Sequence, residues 1–98
     1  MTAGSFPDLA SVRAALDELD GRVVELLVER QHLVAQAAAF KHTDSEVQAP
    51  QRVAAVVRRA RQLAEQHGGS GDLVEQVYTA LVAAFVAHER AALRASTT

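Results

Sequence analysis

The stretch Leu9–Phe40, LASVRAALDELDGRVVELLVERQHLVAQAAAF, decides the fold because its large apolar residues recur three and then four positions apart. This spacing places them on one side of an α-helix. The apolar stripe consists of Leu9, Val12, Leu16, Leu19, Val23, Leu26, Leu33, Ala37 and Phe40. Arg30 falls on the stripe between Leu26 and Leu33. A buried guanidinium needs an anion as its partner, so the sequence predicts an anion site inside a helical bundle.

The composition is that of one globular domain over residues 1–98, with 49% hydrophobic and 22% charged residues. The chain contains no cysteine, which excludes disulfides and thiolate metal sites. The first residues lack a charged start followed by an apolar run, and no segment has the length of a membrane span, so we expect a cytoplasmic protein without a membrane partner. A net charge of -2 argues against general nucleic-acid binding.

Start and stop signals predict three helices, at about 8–41, 50–67 and 72–95, and no strand alternation is found. The fold class is therefore all-α. The polar segment 42–49 has no apolar pattern, and we expect a loop there. Ser5 or Asp8 can cap the first helix, and Asp72 with Glu75 has the spacing of a capping box for the third.

The first predicted helix is too long for a compact monomer. About 32 residues at ~1.5 Å each make a rod of ~48 Å, whereas a globule of this size has a radius of gyration near ~13 Å. The apolar stripe must then pack against another chain. We expect an intertwined helical homodimer.

Ionisable residues of the first helix support an anion pocket. Lys41 lies eleven residues after Arg30, close to three helical turns, so both side chains are predicted to leave one face and bracket a small anion. Arg13 lies roughly 100° around the helix from Arg30 and roughly 25 Å away. Only an antiparallel partner helix could bring Arg13 to the same pocket.

The other two helices each carry one inward-leaning ionisable residue. Arg52 lies one turn before Val56, near the apolar side of the second helix. Glu89 follows Phe85 by one turn on the apolar face of the third. Each alone is more typical of an interhelical salt bridge or a snorkelling side chain, but the whole set favours a binding pocket.

The order of these residues resembles the AroQ-type chorismate mutases, over about Leu9 to Leu93. The resemblance rests on Arg13 early in the first helix, the segment Leu26–Arg30, Phe40–Lys41, Arg52, and a polar residue late in the third helix. It implies two chains that exchange long first helices, an active site inside the bundle, and one arginine from the other chain. It implies no cofactor.

The resemblance also implies roles for single residues. Arg30 and the partner subunit's Arg13 would bind the two carboxylates of the substrate, and Arg52 would order the pocket. Lys41 would contact a carboxylate and the ether oxygen, with Glu89 on the other side of that oxygen. Phe85 is expected to line the pocket beside Glu89.

Two positions leave the substrate open. Ala49 and Val53 stand where familiar mutase domains have carboxylates near the ring hydroxyl, and this segment is closer to the isochorismate-pyruvate lyases, which release pyruvate by a pericyclic hydrogen transfer. Glu89 argues against the lyase, which commonly has Gln at this position. A mutase for 4-amino-4-deoxychorismate ranks third, with Asp44 or Glu46 as the acid near the ring amine.

A non-catalytic helical dimerisation or regulatory module is the rival from another class. It would explain the long helix and the stripe, but it gives no reason for Arg30 on the stripe. The four histidines show no paired spacing, so no metal site is predicted. The resemblance implies an enzyme of aromatic biosynthesis that binds a small dicarboxylate.

Overall fold

The computed structural model describes residues 5–96. Four helices follow one another: α1 (Leu9–Ala38), α2 (Asp44–Gln48), α3 (Pro50–Gln66) and α4 (Gly71–Ser96). The described residues form no strand, which confirms the all-α class. The chain divides into two compact units, one ending at Leu33 and the other beginning at Val34. Over residues 5–96, no helix combines the length and the apolar character that a membrane crossing requires.

The first unit consists of most of α1. This helix begins where the Asp8 carboxylate accepts a hydrogen bond of 2.7 Å from the Ser11 amide, so Asp8 is the cap, one of the two residues predicted for that role. None of the 30 residues of α1 is buried. Leu9 is 60% exposed and Leu26 is 62% exposed. The apolar stripe of α1 is thus an uncovered surface.

The end of α1 differs from the prediction. The helix ends at Ala38, and the amides of Phe40 and Lys41 donate to carbonyls three residues back, at 3.0 Å each. Lys41 therefore lies beyond the helix, so the predicted three-turn relation between Arg30 and Lys41 is wrong. Residues 39–40 form a turn after Ala38, and Thr43 then takes an extended conformation (φ -127°, ψ 157°) and caps the next helix.

The predicted loop over 42–49 is also wrong, because it contains α2. The Thr43 hydroxyl accepts a hydrogen bond from the Glu46 amide at 3.2 Å, and the Glu46 carboxylate accepts one from the His42 amide at 3.2 Å. This resembles a capping box, except that the Glu46 carboxylate bonds the amide of the residue before the cap, and the Thr–Glu spacing is visible in the sequence at positions 43 and 46. Val47 is buried to 3% exposure and anchors the helix.

A single residue in the left-handed region separates α2 from α3. Ala49 has φ 36° and ψ 62°, and it closes α2 through a hydrogen bond of 3.0 Å from its amide to the Ser45 carbonyl. Pro50 disfavours the right-handed helical region for the residue before it, so two helices can meet here without merging. The second predicted helix is confirmed as α3, which begins at Pro50 as expected.

The connection between α3 and α4 is an ordered glycine turn. Gly68 has φ +78°, and the amides of Gly68 and Gly69 donate to the carbonyls of Glu65 and Ala64 at 3.1 and 2.8 Å, which is the Schellman pattern. Gly71 is buried, and an added Cβ would lie 2.5 Å from Glu65 Oε1.

The predicted capping box of Asp72 and Glu75 is wrong. Ser70 caps α4 instead, since its hydroxyl accepts a hydrogen bond of 3.1 Å from the Leu73 amide. Asp72 instead pairs with Arg61 of α3 at 2.6 Å. This pair ties the end of α3 to the start of α4.

The core of the second unit lies where α3 and α4 pack together, with α2 against α4. Ala60 of α3 and Val82 of α4 are 7% and 5% exposed. Small and β-branched side chains let the two helices approach closely. This packing places the late part of α4 beside the segment that follows α1.

Candidate active site

The centre of the candidate site is an ion pair between Lys41 and Glu89. Lys41 Nζ donates to Glu89 Oε2 at 3.0 Å. The Glu89 side chain is 8% exposed and that of Lys41 is 26% exposed. A carboxylate this deeply buried needs a partner, and the lysine supplies it. The structure therefore brings together two of the residues that the sequence singled out.

A second ion pair lies next to the first. Arg90 of α4 donates from Nε and Nη2 to the two carboxylate oxygens of Asp44 in α2, at 2.7 and 3.2 Å. Gln48 also donates to Asp44, at 2.6 Å. The hydrogen bonds from Arg90 and then Gln48 lower the pKa of Asp44 below its usual value. Asp44 is thus held as an anion on Arg90.

Glu46 is engaged within its own helix cap. Hydrogen bonds from the His42 amide and the Thr43 hydroxyl lower the pKa of the Glu46 carboxyl below its usual value. Asp44 and Glu46 were the acids expected near a substrate amine. Because both make hydrogen bonds inside the second unit, the structure offers less support for an aminated substrate.

The remaining candidates of the second unit occupy different surroundings. Arg52 is exposed, and within residues 5–96 no carboxylate lies at ion-pair distance from it. Phe85 is half-buried. Val53 is half-buried and lines a groove of about 780 Å³ between α3 and α4. Lys41 and Glu89 do not line this groove, so its apolar floor is separate from the ion pair.

Two candidates lie in the first unit. Arg13 is exposed, and Arg30 is half-buried while most of its stripe neighbours are exposed. The predicted cationic residues are therefore divided between the two units. Lys41 and Arg52 belong to the second unit.

The contact between Asp44 and Arg90 was not predicted from the sequence. The signal available for Asp44 was the Thr–Glu spacing around it, which predicts a short helix at 43–46. Arg90 carries no such signal, because only the packing of α2 on α4 brings it to Asp44. Its position next to Glu89 in the sequence was the one available clue.

The chemistry offered by this arrangement is electrostatic. An ammonium group beside a buried carboxyl can stabilise negative charge that develops on a bound oxygen, provided that both are held in place. No group of three or more histidine and carboxylate side chains suited to a metal ion occurs in the described part of the chain. The Lys41 ammonium and the Glu89 carboxyl are the charged groups that this arrangement offers to a ligand.

Comparison with known proteins identifies the family of this chain. Residues 12–90 match the family Chorismate mutase type II. The chain is 31% identical over 81 residues to an isochorismate pyruvate lyase of Pseudomonas aeruginosa, covering 83% of this chain and 80% of that protein. It is 36% identical over 70 residues to a T-protein of Haemophilus influenzae, covering 70% of this chain and 19% of that protein. This chain belongs to the chorismate mutase type II family.

Proposed function

We propose that this protein converts chorismate into prephenate. The observation that carries the proposal is the ion pair of Lys41 with the buried Glu89, in a chain of the chorismate mutase type II family. In this Claisen rearrangement the ether C–O bond breaks and a C–C bond forms within one molecule. The enzyme supplies neither a nucleophile nor a net proton, so preorganised charges suffice.

The charges of the site match the charges of that reaction. Negative charge develops on the ether oxygen as its bond to carbon breaks, and the Lys41 ammonium would stabilise it. Glu89, when protonated, would donate to the same oxygen. A planar guanidinium group binds a carboxylate through two parallel hydrogen bonds. Such groups are carried by Arg30, Arg13 and Arg52.

A second copy of the chain would complete the site. The uncovered stripe of α1 extends over a helix of about 45 Å, and its leucines are roughly half exposed. Such a continuous apolar face is typical of an interface between copies rather than of a monomer surface. In the proposed homodimer, Arg13 of one protomer reaches the site of its partner.

Isochorismate-pyruvate lyase activity is the second candidate. The relative from Pseudomonas aeruginosa bears that name and matches 83% of this chain. Ala49 and Val53 also leave the start of α3 without a carboxylate for the ring hydroxyl. In the lyase reaction the ether C–O bond breaks while a ring hydrogen moves to the enolpyruvyl methylene, which yields salicylate and pyruvate.

Product analysis separates the candidates. The purified protein is incubated separately with chorismate and isochorismate, and prephenate, salicylate and pyruvate are quantified. Prephenate from chorismate supports the mutase, whereas salicylate with pyruvate from isochorismate assigns the lyase. The Lys41→Met variant, purified in parallel, is the control for contaminating host enzymes. If neither substrate is converted, the proposal is wrong and the dimerisation module becomes the better account.

A further inference from the structure

We propose that Asp44 and Arg90 are positioning residues of this site, whose ion pair holds the Lys41 ammonium beside Glu89. The inference rests on the proposed function and adds to it the source of the site's geometry. Neither residue needs to touch the substrate. Their part is to fix the segment that carries Lys41.

Lys41 needs such support because its own surroundings hold it weakly. It lies three residues beyond the end of α1, and its amide makes one turn hydrogen bond of 3.0 Å to the Ala38 carbonyl. Phe40, its neighbour, is 81% exposed and packs against little of this chain. A flexible four-carbon side chain on such a turn would sample many positions. Something further along the chain must restrict it.

The restriction comes from two consecutive residues of α4. Glu89 binds Lys41, and the next residue, Arg90, binds Asp44. Asp44 follows Lys41 by three residues in the sequence. Two contacts to one rigid helix define both the position and the direction of the segment between them. The Arg90 contact is bidentate, which adds an angular constraint that a single hydrogen bond lacks.

Asp44 is itself rigidly mounted. It is the first residue of α2, it accepts a hydrogen bond from Gln48 at 2.6 Å, and Val47 of the same helix is buried to 3% exposure. The cap formed by Thr43 and Glu46 orders the chain between Lys41 and Asp44. A displacement of Asp44 therefore moves Lys41 with it.

A matched pair elsewhere in the protein provides the control. Arg61 and Asp72 also form an exposed arginine–aspartate pair between helices, at 2.6 Å. Asp72 lies seventeen residues before Glu89 on α4, roughly 25 Å along the helix axis. Removing this pair should remove a surface ion pair similar to that of Asp44 and Arg90, without changing the segment that carries Lys41.

The kinetic test compares Asp44→Asn with Asp72→Asn on whichever substrate the wild-type protein converts. We expect kcat to fall roughly tenfold in Asp44→Asn with KM within about twofold, because a displaced catalytic group weakens the transition state more than substrate binding. Asp72→Asn should keep both constants within about twofold. Arg90→Lys keeps the positive charge but loses the bidentate contact, so it should also lower kcat. Equal kcat in Asp44→Asn and Asp72→Asn would overturn the proposal.

A spectroscopic test works without activity, because Lys41 is the only lysine of the sequence. With ¹⁵N-lysine labelling, the side-chain signal reports this one ammonium. We expect Asp44→Asn to move it toward its position in Glu89→Gln, and Asp72→Asn to leave it unchanged. A wild-type signal in Asp44→Asn would refute the positioning role even if activity fell.

Reversal of the pair gives the rescue arm. The double variant Asp44→Arg with Arg90→Asp should recover part of the kcat lost in either single variant, since the contact is re-formed in the opposite sense. No recovery together with an unshifted lysine signal would contradict the inference. If the wild-type protein converts neither substrate, only the proposed function is refuted. The lysine signal would still test whether Asp44 and Arg90 position Lys41.

Discussion

Lys41 Nζ lies 3.0 Å from Glu89 Oε2, although 48 positions separate the two residues in the sequence. The carboxylate is almost fully buried, whereas the ammonium is about a quarter exposed. The pair is therefore reachable from solvent through the lysine. A substrate oxygen arriving at this side would meet the positive partner first.

Replacement of Lys41 by Met should affect both activity and stability. The ammonium that stabilises the ether oxygen is lost, so kcat is expected to fall roughly 10²- to 10³-fold. The free energy of unfolding should drop by about 1–3 kcal/mol, because Glu89 keeps a buried charge without its partner. Urea unfolding and steady-state kinetics measure the two effects. The double variant Lys41→Met with Glu89→Met, which removes both charges, should regain most of the stability.

Replacement of Arg30 by Leu distinguishes an enzyme from a scaffold. Leucine continues the apolar stripe, so the unfolding free energy should stay the same or rise, while substrate affinity is lost. Isothermal titration with a dicarboxylate substrate analogue and urea unfolding measure both. If the chain is instead a non-catalytic dimerisation module, the wild-type chain would bind no ligand either. A large loss of stability in Arg30→Leu would count against an anion pocket.

Introduction of a charge on the stripe of α1 should separate the proposed dimer. Leu19 is 46% exposed in the single chain and would be buried between copies. Leu19→Glu should therefore sediment at the mass of one 10.5 kDa chain, whereas the wild type sediments at twice that mass. Asp17→Ala, which lies roughly 160° around the same helix from Leu19, is the control. A monomeric wild type at micromolar concentration would contradict the dimer.

The pair of Asp44 and Arg90 should stabilise the fold only above acidic pH. The pKa of Asp44 is lower in the folded protein than in the unfolded chain, because Arg90 and Gln48 donate to the carboxylate. Its contribution is fully present above the unfolded value of ~3.9 and is lost as pH falls through the lower folded value. The difference in unfolding free energy between wild type and Asp44→Asn should be constant from about pH 5 to 7 and should shrink below about pH 4. A difference that persisted at pH 2 would place its origin elsewhere.

Most of the helical fold was predictable because helix signals are local. Apolar spacing, Pro50 and the glycine turn at 68–71 located three long helices to within a few residues. The errors have the same origin. Thr43 caps α2 within the segment predicted as a loop, and Ser70 rather than Asp72 caps α4. A residue-by-residue pattern does not weigh such competition between neighbouring caps.

The candidate site was predictable as a list of residues but not as a geometry. Glu89 stood out because it lies on the apolar face of its predicted helix, whereas Lys41 stood out through its spacing from Arg30 and the family resemblance. The relation of Lys41 to Arg30 failed because it extrapolated a helix past Ala38, and a few residues outside the helix redirect every later side chain.

The amino-acid sequence by itself determined the all-α class, the apolar stripe of α1 and the residues available for anion binding, because these depend on the periodicity and chemistry of neighbouring residues. Only the tertiary structure decided that α2 packs on α4 and that Glu89 and Arg90 hold Lys41 and Asp44. Such contacts join residues far apart in sequence, so they exist only once the helices have packed and excluded water from Glu89.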